Sequence, residues 1–72
     1  MQPGKTATAI FLNGEPAETP ARTLAELVAL MGLAEAQVAT ARNGDFVPRA
    51  ARTETRIAPG DRIEVLAPRQ GG

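Results

Sequence analysis

Apolar and polar residues alternate singly at the start of the chain, shift to a helical spacing, and then return to alternation. Over ATAIFLNG, from Ala7, Ile10 and Leu12 fall on one side and Ala9 and Phe11 on the other, the two-residue period of a strand. Asn13-Gly14 follows, the pair a type I′ hairpin turn favours because both central positions need positive φ. The return strand, Glu15 to Thr19, is short, and Pro16 and Pro20 restrict it to a sheet edge. TLAELVALMG then places Leu24, Leu27, Val28 and Met31 at i, i+3, i+4 and i+7, one stripe of an α-helix. Thr23 with Glu26 three residues on predicts a capping box, and Gly32 suits the left-handed position that closes the helix. The stripe is read as core packing, ahead of a partner-binding face.

Leu33 to Gln37 reads as a connector. VATAR, Val38 to Arg42, alternates again, but Val38 and Thr40 on one side against Ala39 and Ala41 on the other leave its facing open. Asn43-Gly44 repeats the hairpin signal, and Pro48 ends or bulges the returning segment DFVPR. Residues 50–58 read as loop, with Ile57 an apolar plug. Pro59-Gly60-Asp61 supplies the proline and glycine of a type II turn. RIEVLA forms the last strand, Ile63 and Val65 inward, Glu64 and Leu66 outward, until Pro68 stops the ladder. The order predicts an α+β fold, a mixed five-stranded sheet with one helix packed on one face. This is the ββαβββ arrangement of the ubiquitin-like β-grasp, with the last strand near the sheet's middle. Residues 1–72 then make a single domain, with 1–6 a polar lead and 68–72 a flexible C-terminal tail.

Composition narrows what such a domain can do. Fourteen of its apolar residues are alanine, so the core is thin and a deep substrate cavity is disfavoured. Eight Lys and Arg balance eight Asp and Glu, which gives no global field toward nucleic acid. The second half is mildly basic through Arg42, Arg49, Arg52, Arg56, Arg62 and Arg69, which read as solvated surface. No membrane span or signal segment is visible, so a cytoplasmic location is the default. Cys and His are both absent. Thiolate nucleophiles, soft metal ligands and the usual neutral-pH base go with them.

That leaves the terminal stretch PRQGG, Pro68 to Gly72. Fraying explains a mobile end but does not explain two glycines. The alternative is that the main-chain carboxylate is the reactive group. A carboxylate is a poor electrophile until coupled to a leaving group such as AMP, and a narrow partner cleft admits glycine best because it has no Cβ. Gly72 would then be the modified residue, and Pro68, Arg69, Gln70 and Gly71 its recognition contacts.

FLNGE at 11–15, the helix TLAELVALMG, RNGDFVPR at 42–49 and PGDRIEVLAPRQGG at 59–72 together resemble the ThiS family, the sulfur carriers of thiamine biosynthesis. The likeness runs from about Ala9 to Gly72. Arg42 departs from it, since the family usually carries an apolar residue there, and is expected to point outward. The resemblance implies a carrier and not an enzyme. An E1-like adenylyltransferase would consume ATP to adenylate Gly72. A cysteine desulfurase or rhodanese-type donor would then supply sulfur, leaving a thiocarboxylate that thiazole synthase uses for the thiazole ring. No bound cofactor and no metal are implied, and a monomer is expected between encounters.

Phe11 and Leu66 are both expected on the face away from the helix, where they would suit docking by the activating enzyme; cover of Phe11 by a loop is the other reading. Three alternatives stand beside the carrier. The molybdopterin-synthase small subunit and a ubiquitin-like modifier share the terminal chemistry. A TGS-type RNA- or ligand-binding module would use a basic face and no free terminus.

Overall fold

The computed structural model describes residues 7–67. Expectations on the lead, 1–6, and on Pro68 to Gly72 lie outside the described residues. Two hairpins and a final strand build the sheet. β1 (Thr8–Leu12) turns into β2 (Glu15–Thr19), and β3 (Ala39–Arg42) into β4 (Asp45–Val47). Both turns place an asparagine and a glycine at positive φ, 51° and 87° in the first and 52° and 87° in the second, as type I′ geometry requires. The order across the sheet is β2-β1-β5-β3-β4, so β5 (Arg62–Leu66) fills the slot between the hairpins. It runs parallel to β1 and antiparallel to β3, which makes the sheet mixed. β2, with Pro16, lies at an edge, where proline is tolerated.

The single helix, α1 (Leu24–Leu30), is closed at both ends by the signals in its sequence. Thr23 Oγ1 accepts the Glu26 N–H at 3.2 Å. The Glu26 carboxylate reaches back to the Arg22 N–H at 2.6 Å, one residue earlier than a capping box would have it, and Thr23 lies in an isolated bridge with Arg56, the Leu24 N–H donating to Thr55 O. At the other end Gly32 takes φ 76°, its N–H bonding Ala29 O while the Leu33 N–H reaches Val28 O. Those two bonds form a Schellman motif. Leu24, Leu27 and Val28 are buried against Ile10, Ala21, Val47, Ile63 and Val65, with Met31 at the margin. Among the described residues no helix is long and apolar enough to cross a membrane.

Two expectations change. Residues 49–54 are a 3₁₀ segment beside α1 where a loop was expected, and Glu35–Gln37 is a shorter one. Arg52, grouped by sequence with the solvated arginines, is 2% exposed. Its guanidinium donates to three oxygens: Thr40 Oγ1 at 2.9 Å, Glu35 O at 2.8 Å and Val38 O at 2.7 Å. The Thr40 hydroxyl in turn donates a hydrogen bond to Val47 O at 2.8 Å. A carbon stem fills space that this alanine-rich chain cannot fill otherwise, and the fork satisfies the carbonyls of the α1–β3 connector. Arg52 is a structural cation.

Replacing Arg52 by alanine removes a buried side chain and leaves the buried Thr40 hydroxyl and two part-buried carbonyls without their donor, and should lower the unfolding free energy by about 2–4 kcal/mol. The urea midpoint reads this loss. Arg52→Lys, which keeps charge without the planar fork, should recover only part of it. A midpoint unchanged by Arg52→Ala would contradict the role given to the buried fork.

Candidate functional site

The strand that leads toward residues 68–72 is β5, and both of its edges are paired. Phe11 and Leu12 of β1 stand opposite Arg62 and Ile63, while β3 runs alongside from Arg42 opposite Ile63 to Ala39 opposite Leu66. Ile63 and Val65 are buried and Arg62, Glu64 and Leu66 exposed, the facing expected from sequence. A strand held on both sides is a rigid base for whatever follows it.

Its lower end is fixed by Asp61. A type II turn through Pro59 and Gly60, with Gly60 at φ 84° and the Asp61 N–H on Ala58 O, brings the chain into the sheet. The Asp61 Oδ2 atom accepts the Arg42 Nε–H and the Ala58 N–H, each at 2.8 Å, and Oδ1 accepts from Asn43 Nδ2 at 3.0 Å. Burial alone would push this carboxyl up. The hydrogen bonds from Ala58, Asn43 and Arg42, with the arginine's charge, outweigh burial and hold it below its ordinary value of 3.8. Arg42 was expected to point outward. It shares the side of the buried Thr40, two residues away, and its guanidinium turns to Asp61 at the strand's end. The buried Thr40 also settles the facing of the third strand, with Ala39 and Ala41 on the open side.

The face away from the helix is uncovered. Phe11 is 44% exposed and Leu66 62%, both on this face and on neighbouring strands. They do not touch as one patch: Phe11 stands beside Arg62, and Leu66 is four residues, about 13 Å, further along β5. Phe46, 69% exposed, is the residue that the sequence reading missed. It stands opposite Ala41, which stands opposite Glu64, so it shares the open face with Leu66 across the two alanines of β3. Once Val47 is known to face the core, strand alternation alone turns Phe46 outward. Beside Phe11, an open concavity is bordered by Gly14, Ile63, Arg62 and Glu64.

A five-stranded mixed sheet with one helix on one face and its last strand at the centre defines the ubiquitin-like β-grasp class. The ThiS family matches residues 10–72. The crystal structure of the thiamine biosynthesis protein ThiS from Geobacter metallireducens is similar to this one with a TM-score of 0.72 and 29% sequence identity, over 90% of this chain and 100% of that one. No curated protein matches the chain. The chain belongs to the ThiS family, the sulfur carriers of thiamine biosynthesis.

Because the folded-state pKa of Asp61 is lowered, its contribution to stability is complete above 3.8 and is lost as pH falls through the lower folded value. The gap in urea midpoint between the wild-type chain and Asp61→Asn should therefore stay constant from neutral pH to about pH 5 and narrow below it. A gap that widens on acidification would reverse the sign assigned to this carboxylate.

Proposed function

We propose that the chain carries sulfur as a thiocarboxylate on Gly72 and donates it to thiazole formation. Membership of the ThiS family, matched through Gly72 itself, is the observation that carries this reading. In the first step a terminal carboxylate oxygen attacks the α-phosphorus of ATP on an E1-like adenylyltransferase. An acyl–phosphate bond forms, the α–β anhydride breaks, and pyrophosphate leaves. A persulfide sulfur, generated by a cysteine desulfurase or a rhodanese-type donor, then attacks the acyl carbon and expels AMP. The resulting acyl disulfide is cleaved by a thiol, which is oxidised to a disulfide as the thiocarboxylate is released.

The thioacid, ionised at neutral pH, is a soft nucleophile suited to thiazole synthase. All of the chemistry is done by partners, and the carrier supplies an unobstructed acid. Pro68, Arg69, Gln70 and Gly71 are its recognition segment in this reading, and glycine at 71 and 72 admits a narrow cleft without a Cβ in the way. The folded domain supplies docking. Phe11 and Leu66 stand exposed on the open face and, with Phe46, give an apolar surface for the activating enzyme. The family match favours the thiazole branch over molybdopterin synthase.

Two measurements test this. Intact mass after incubation with ATP, the adenylyltransferase and a sulfur donor should rise by the difference between one sulfur and one oxygen, about 16 Da, at Gly72. A chain lengthened by one bulky residue beyond Gly72 should show no gain, and modification at any other position would refute the assignment. Phe11→Ala should weaken binding to the adenylyltransferase by about tenfold, the scale of one apolar interface anchor, with circular dichroism unchanged. Equal affinity for the two proteins in a titration would remove Phe11 from the docking surface.

A further inference from the structure

We propose that Asn13 is a positioning residue for the terminal chemistry: its side-chain carboxamide replaces a missing neighbouring strand and fixes the direction in which β5 leaves the sheet. The proposal rests on Gly72 being the activated group. β1 stops at Leu12, opposite Ile63, whereas β5 continues to Leu66. The Asn13 N–H still donates to Ile63 O at 2.9 Å, and there the main chain turns away into the hairpin. The next peptide groups of β5 would be left without a partner on that edge. The Asn13 side chain takes them. Its Oδ1 accepts the Val65 N–H at 2.9 Å, and its Nδ2 donates to Val65 O at 3.3 Å. One carboxamide offers the acceptor and donor that a strand's peptide would offer, to the residue just before Leu66.

The second hairpin does the same at the opposite end. Asn43, at the matching turn position, bonds Arg62 twice: its N–H to Arg62 O at 2.7 Å and its Oδ1 from the Arg62 N–H at 2.8 Å. Two turn asparagines thus hold β5 by its entry on one edge and its exit on the other. The turn alone asks less than this. At φ 51° glycine or aspartate would serve as well as asparagine in a type I′ hairpin. The carboxamide is needed for Val65. Residues Ala67 to Gly72 can span at most about 20 Å, so the point and angle of departure limit where the carboxylate can be delivered once the open face has docked. Without the carboxamide the exit of β5 is held on the β3 edge alone, where Thr40 and Ala39 stand opposite Val65 and Leu66, and the added freedom about that edge must be removed in each activation event, a factor on the order of fivefold.

Asn13→Gly removes the carboxamide and keeps the positive φ; Asn13→Asp keeps an acceptor for the Val65 N–H but sets a carboxylate against Val65 O. The assay is pyrophosphate release from ATP by the E1-like adenylyltransferase, with carrier concentration varied. Both variants should lower kcat on the order of fivefold with KM for the carrier unchanged, because docking through the sheet face is intact. Amide hydrogen exchange at Val65 should quicken in Asn13→Gly. A loss of folded carrier would raise the apparent KM and spare kcat, and that pattern would overturn the proposal. So would an unchanged kcat while Val65 exchange quickens, since the bond would then be structural only. A wild-type chain that releases no pyrophosphate overturns the assignment of Gly72 and this proposal with it, whereas normal wild-type turnover beside unaltered variants sinks this proposal alone.

Discussion

The insertion of β5 between β1 and β3 holds the rest of the molecule together. Without it the chain is two hairpins, each with a turn it can form locally, and a helix with nothing continuous to pack upon. Ile63 stands opposite Leu12 on one side and Arg42 on the other, so one buried side chain joins the two halves of the sheet. Ile63 and Val65 also supply the centre of the surface on which Leu24, Leu27 and Val28 rest. The pairing with β1 links residues some fifty positions apart and the pairing with β3 some twenty, and the loop-closure entropy of forming them must be met before the core rewards it. Cooperative folding follows, because neither hairpin has a complete hydrophobic face until the last strand arrives.

A thin core explains why polar groups do so much of the joining. Arg52 occupies space between the α1–β3 connector and β3, and Asp61 ties the β3–β4 turn to the entry of β5. No buried side-chain nitrogen or oxygen among the described residues lacks a hydrogen-bond partner. That matters more here than in a larger domain. A protein of this size is held by roughly 4–11 kcal/mol in total, and one unsatisfied buried group costs about 1–3 of them. The polar joints therefore have to be completed or left out, and this chain completes them.

The same physics decides what could be read from the sequence. Asn-Gly turns, the leucine stripe, Gly32 and the Pro-Gly turn are local signals, each set by the residues that carry it, and all appear where expected. So does the facing of β5, because Ile63 and Val65 differ sharply from Arg62 and Glu64 in polarity. β3 was illegible for the opposite reason: Ala39, Thr40 and Ala41 present nearly equal side chains to both faces, so alternation has no amplitude. That gap hid Phe46, whose direction follows only when its neighbour Val47 is known to be inside. Arg52 was illegible in a different way. Its burial depends on Glu35, Val38 and Thr40 converging from earlier in the chain, and no short window contains that information. The 3₁₀ segment around it carries no apolar period and reads as loop.

The division of labour in the carrier follows from where rigidity is placed. Docking needs a surface whose residues keep fixed separations, and the open face has one: Phe11, Leu66 and Phe46 project from paired strands, with β3 alanines low between the last two. Delivery of a terminal acid needs something else, a short lead from a fixed point. Under the proposed function β5 would meet both needs, since its exposed positions lie on the open face and its end precedes the terminal residues. A change on the open face would act first on encounter, and a change at the strand's exit first on turnover. Separating those two effects is what distinguishes a carrier that merely exposes its terminus from one that aims it.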